Sequence, residues 1–88
     1  MLDLHDATLL DVRLDWEQGT ARIRFQTNKA TASLTVNGLA SVVIPRREPW
    51  GSSASVNELR EVTDGLEIEM QSGDVIQIEA SAWTVTSE

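Results

Sequence analysis

The sequence predicts an all-β fold, a small antiparallel sandwich or partly closed barrel of six to seven strands built from hairpins. Three observations carry this. Apolar and polar residues alternate at a period of two in several short runs, which places alternate side chains on opposite faces of a strand. Glycine, asparagine, aspartate and serine punctuate those runs at short intervals. Third, the hairpin-like runs leave little of the sequence for helix. With 88 residues the chain makes one domain, 1–88, because so short a sequence cannot build two cores. A domain of this size buries about 60–65% of its unfolded surface, so stability is modest and dimerisation would add to it.

Leu10, Val12, Leu14 and Trp16 alternate with Asp11, Arg13 and Asp15, and Ala21, Ile23 and Phe25 alternate with Arg22, Arg24 and Gln26. For both apolar sets to share a face, paired residue numbers must sum to an odd value, as for Leu14 with Ile23. A two- or four-residue loop, or a bulge, is therefore expected between Glu17 and Thr20. Asn37 and Gly38 then carry a strong hairpin signal, since both central residues of a type I′ turn need positive φ. In that hairpin Val36 faces Leu39, and Pro45 ends the returning strand. Val42, Val43 and Ile44 are apolar on both faces, which suits a strand inside the sheet or under a covering loop.

Residues 55–63 are ambiguous. Ser55 and Glu58 stand at capping-box spacing, with Val56, Leu59 and Val62 at helical spacing before Gly65. Read as a strand, Val56, Glu58, Arg60 and Val62 share one face, and the surrounding hairpins favour this. A last hairpin joins Leu66, Ile68 and Met70 to Ile76, Ile78 and Ala80 through a three-residue loop of Ser72, Gly73 and Asp74, with Gly73 at positive φ. Trp83 and Val85 fall on the opposite parity, so either a bulge intervenes or the last strand covers another surface. No internal repeat, low-complexity segment or linker is visible.

The net charge of −7 is unevenly spread, with +1 on residues 1–47 and −8 on residues 48–88, where Arg60 is the one basic side chain. This balance argues against nucleic acid; the acidic half reads first as the solvated face of strands, and in its functional reading as a surface that attracts a protein partner with a basic surface. There is no cysteine, no signal-peptide pattern and no apolar run of membrane-spanning length, so a cytoplasmic protein without a membrane partner is expected.

His5, the one histidine, stands beside Asp6 with Asp3 and Asp11 nearby. A zinc site needs further nitrogen or sulfur ligands, and the aspartates lack calcium-loop spacing. Neighbouring residues on a strand point to opposite faces, so His5 and Asp6 form no dyad unless the backbone turns. The expected role of His5 is a hydrogen bond to a backbone carbonyl. No catalytic residue, metal or cofactor is expected. The segment "RREPWGSSASVNE" offers the binding candidates Arg47, Trp50, Ser53 and Asn57, to which His5 and Asp6 are added. Trp50 is read either as a plug in an open end of the sheet or as an exposed binding anchor.

"LHDATL", "EPWGSSASVNE" and "IEMQSGDVIQI" together resemble a group of small bacterial all-β proteins of uncharacterised function, and more loosely the immunity proteins of bacterial toxin systems. The resemblance spans nearly the whole chain and transfers no catalytic residue. It implies that His5, Asp6, Trp50, Gly51, Ser53, Asn57, Gln71, Ser72, Gly73 and Asp74 are the family-like positions, serving fold maintenance or one composite surface. The expected function is a non-enzymatic protein-interaction module, immunity-like in its fuller form. The alternatives are a small-ligand or catalytic module using His5, Asp6, Trp50 and Asn57, and a self-associating domain that forms a homodimer through an edge strand.

Overall fold

The computed structural model describes residues 3–48 and 54–87. Six strands form: β1 (Thr8–Asp15), β2 (Thr20–Gln26), β3 (Thr31–Val43), β4 (Val56–Val62), β5 (Gly65–Met70) and β6 (Val75–Ser87). Every neighbouring pair is antiparallel, in one sheet of order β1-β2-β3-β6-β5-β4. The all-β antiparallel expectation holds with six strands; they form one sheet instead of two, and that sheet is not closed into a barrel. Its edge strands meet where they begin. Thr8 bridges Ser55, Leu9 N donates to Ala54 O, and Val56 N donates to Ala7 O.

The sheet consists of two three-strand meanders of the same form. In β1–β2, Leu9 opposes Phe25 and Val12 opposes Ile23; in β4–β5, Val56 opposes Met70 and Leu59 opposes Ile68. The third strand of each meander, β3 or β6, is 13 residues long. This repeat escapes a reading of the sequence because the halves share a pattern of inward and outward positions and few identical residues, such as Ile23 with Ile68 and Arg13 with Arg60.

Bulges create that pattern. One extra residue in a strand lets residues i and i+3 face the same side. Leu10 and Asn57 occupy those extra places in β1 and β4, and Ala40 does so in β3. Leu9 with Val12, Leu39 with Val42, and Val56 with Leu59 therefore all pack toward the core. The spacing that resembled a helix in residues 55–63 is a bulged strand, and Val56 does not share a face with Glu58 and Arg60. Leu10, expected inward, is 45% exposed. The odd-sum register holds beyond the bulge, but Leu14 opposes Ala21 instead of Ile23, across a four-residue loop, 16–19.

The expected hairpin at Asn37 and Gly38 is not there. Gly38 has φ +63, Asn37 is not at positive φ, and the chain runs on as β3. β6 supplies ladder partners on both sides of this point, Ala82 for Asn37 and Ala80 for Leu39, so Val36 faces Trp83 and not Leu39. A local hairpin would forfeit that pairing. Gly38 instead marks a close crossing: a β-carbon there would lie 1.9 Å from Ser81 Oγ. Here the inward set shifts on both strands together, from Val36 and Trp83 to Leu39 and Ala80. This accounts for the changed parity of Trp83 and Val85. Val42 opposes Ile78 and packs on the core, whereas Val43 and Ile44, expected inside the sheet or under a covering loop, are 50% and 41% exposed. In the last hairpin Gly73 has φ +103, as expected, and Met70 N donates to Asp74 O, so the loop is 71–73, one residue earlier than expected.

The two meanders close on one core. Ile23, Phe25, Leu34 and Val36 come from the first, and Val56, Leu66, Ile68, Met70 and Ile76 from the second, all fully buried. Leu4 and Ala7 cover it from the chain entering β1.

Gly38→Ala should cost about 2 kcal/mol or more, since left-handed φ alone costs a residue with a β-carbon about 1–2 kcal/mol and the Ser81 contact adds to it. Asn37→Ala should stay within about 0.5 kcal/mol of the parent, because it is the Asn37 carbonyl that accepts the Ser81 hydroxyl. Denaturant unfolding of both variants checks this; equal costs would count against a crossing built on Gly38 alone.

Candidate interaction site

The chain does turn ahead of β1. Ala7 N donates to Leu4 O, and Asp6 takes φ +67. His5 and Asp6, expected to diverge on a strand, are thereby brought together, with His5 Nε2 3.6 Å from Asp6 Oδ2. His5 Nδ1 donates to the Asn57 carbonyl at 2.8 Å, the backbone partner expected from sequence. This carbonyl above all, then the Asp6 and Asp3 carboxylates, holds the His5 imidazole above its ordinary pKa. Gln71 Nε2 donates to Asp6 Oδ1 and to Val56 O, so the β5–β6 turn is clasped to the entry of β1.

From Asn57 the polar contacts continue across the outer face. Asn57 Nδ2 donates to Glu69 Oε1 at 3.3 Å. The same oxygen accepts Arg60 Nη1 at 2.8 Å, and Arg60 also reaches Glu58 at 3.1 Å and Glu67 at 3.2 Å. Alternation places these side chains outward because Leu59 and Ile68 point in. Hydrogen bonds from Arg60 and Asn57 lower the Glu69 pKa, and the three carboxylates raise that of Arg60.

At two of the four equivalent positions the first meander carries the opposite charge, Arg24 and Arg22 on β2 standing where β5 has Glu69 and Glu67. Asp11 opposes Arg24 and Arg13 opposes Arg22, where the second meander has Glu58 opposite Glu69 and Arg60 opposite Glu67. One carboxylate stands among three guanidinium groups on one face, and one guanidinium among three carboxylates on the other. Arg24 binds Asp11 through Nε and Nη2, which lowers the Asp11 pKa. The charge split along the sequence is thus a split between two outer faces.

Of the residues singled out from sequence, His5, Asp6 and Asn57 converge. Arg47 is exposed on the segment after β3, next to Glu48, whose N–H is accepted by the buried Asp74 carboxylate. Trp50 and Ser53 lie outside the described residues, and with them the choice between plug and anchor. Gln71, Gly73 and Asp74 have structural work as clasp and turn. Arg60 with its carboxylates was not singled out; the available signal was the outward parity of Glu58, Arg60, Glu67 and Glu69 in neighbouring runs. A cleft of about 600 Å³ opens between Asp3, His5 and Asp6 on one side and Asn28 and Lys29 on the other. Among the described residues no group of three histidine or acidic side chains is placed to hold a metal ion. No family model matches the chain, and no curated protein or solved structure matches it.

A raised His5 pKa stabilises the folded state fully below the unfolded value, near 6.5, and the contribution is lost as pH rises through the folded value. Unfolding midpoints across neutral pH should fall correspondingly, and His5→Ala should flatten that slope. An unchanged slope would detach His5 from it. Arg60→Ala leaves Glu58, Glu67 and Glu69 facing one another. Its melting temperature should therefore gain more than the parent's from about 0.5 M salt, which shortens the screening length to a few ångströms. Equal gains would mean the arginine does not hold these carboxylates together.

Proposed function

We propose that the protein is a non-enzymatic interaction module that presents the outer face of β4–β5–β6 to a protein with a basic surface. The supporting observation is the continuous polar strip from Asp3 and Asp6 through Asn57 to Glu69, Glu67 and Glu58, in which Arg60 is already held by three carboxylates. Glu79 extends the acidic character onto β6, where it is exposed. Such a face steers a cationic partner over distances comparable to the screening length and suppresses anionic ones. Clustered strand carboxylates do this without any nucleophile, metal or cofactor. An immunity-type antagonist of a basic toxin is the fuller form of this reading, with Trp50 as the anchor residue.

Calorimetric titration with an arginine-rich peptide tests it. Binding should weaken as salt rises, and Glu67→Gln with Glu79→Gln should weaken it further at low salt while leaving the circular dichroism unchanged. In the anchored form, Trp50→Ala should speed dissociation of a captured partner and leave the association rate nearly as before. Binding indifferent to both the carboxylates and salt would overturn the acidic-face reading.

A further inference from the structure

Independently of the acidic face, we propose that the free edge of β3 is the contact surface for a second copy of this chain. β3 pairs with β2 as far as Asn37, opposite Thr20, and with β6 as far as Val43, opposite Gln77. Leu39 N is taken by Gly19 O. Beyond it, over residues 40–43, no described strand pairs with β3 on its β2 side. This edge is uncharged, Ala40, Ser41, Val42, Val43 and then Ile44, and it carries none of the lysines that commonly guard exposed edges.

Two features fit a two-fold, antiparallel pairing of this edge with itself. Ala80 N is turned to Asp64 on the β5 side, so Glu79 and Gln77 face Ser41 and Val43, and alternation turns the N–H and C=O of Val42 to the free edge, where Val42 opposite itself centres the ladder. In that register Ile44 of one copy lies over Ala40 of the other. There Leu14, Trp16, Leu39, Ala40 and Val42 line an apolar groove of about 100 Å³, room for one aliphatic side chain. Ile44 is 41% exposed and Trp16 is 90% exposed, so each copy offers both a knob and an uncovered groove. The arrangement is isologous, so every contact occurs twice.

Sedimentation equilibrium on the whole chain, up to about 500 μM, decides the matter, a range that captures even a weak dimer. The parent should show twice the chain mass, and Ile44→Lys, with unchanged circular dichroism, should raise the dissociation constant at least about tenfold. A parent that stays monomeric throughout, or a dimer that Ile44→Lys leaves intact, overturns the proposal.

Discussion

The pairing of β3 with β6 is the constraint on which the rest of the structure depends. Two short hairpins, β1–β2 and β4–β5, cannot each bury an apolar face in water, since an isolated hairpin is marginal at best. They become stable by hanging on two long strands that stay paired from Ala32 with Ser87 to Val43 with Gln77. For both hairpins to cover the same core, the inward face must change along that ladder without breaking it. Gly38, lying against Ser81 at positive φ, lets both strands shift face together while the register is kept from Ala32 to Leu39. Its entropic cost in the unfolded chain is small beside the burial of Phe25, Leu34, Ile68 and Ile76, each worth roughly 1.5–3 kcal/mol relative to exposure.

The bulges connect this fold to the candidate site. At Asn57 the extra residue leaves the ladder, so its carbonyl needs a donor from elsewhere. His5 supplies one, and the turn at Asp6 that brings His5 there also brings the Asp6 carboxylate to Gln71. The same bulge sets the parity of Glu58 and Arg60, which puts the arginine opposite Glu67 and within reach of Glu69. One inserted residue therefore completes the core with Val56 and Leu59 and assembles the polar strip outside it.

The legibility of this structure in its sequence follows from how local each feature is. The alternation in residues 20–26 and 66–70, the positive φ of Gly73, the odd-sum register of β1 with β2 and the carbonyl contact of His5 all depend on near neighbours or simple parity, and were readable. The turn expected at Asn37 and Gly38 was misread because the glycine signal is shared by any left-handed position, and the partner that decides between them, Ser81, is 43 residues away along the chain. The helix-like spacing of Val56, Leu59 and Val62 misled for a related reason, since a bulge and a helical turn both bring residues i and i+3 to one face. Arg60 was missed as a centre because its partners on β5 are fixed only once Leu59 is set opposite Ile68.

A net charge of −7 works against the pairing of two copies, and geometry answers the objection. Joined at β3, the two half-sheets would run β4-β5-β6-β3 and then β3-β6-β5-β4 without interruption. The β5 strands, which carry Glu67 and Glu69, would then lie five strand spacings apart, about 24 Å at 4.8 Å each, and the β6 strands, which carry Glu79, three spacings apart, about 14 Å. These distances exceed the screening length of about 8 Å at physiological salt roughly threefold and nearly twofold, so repulsion between the acidic faces is much reduced. The acidic faces would point outward from both ends of one sheet, so self-association through β3 leaves the partner-binding surface open and presents it twice.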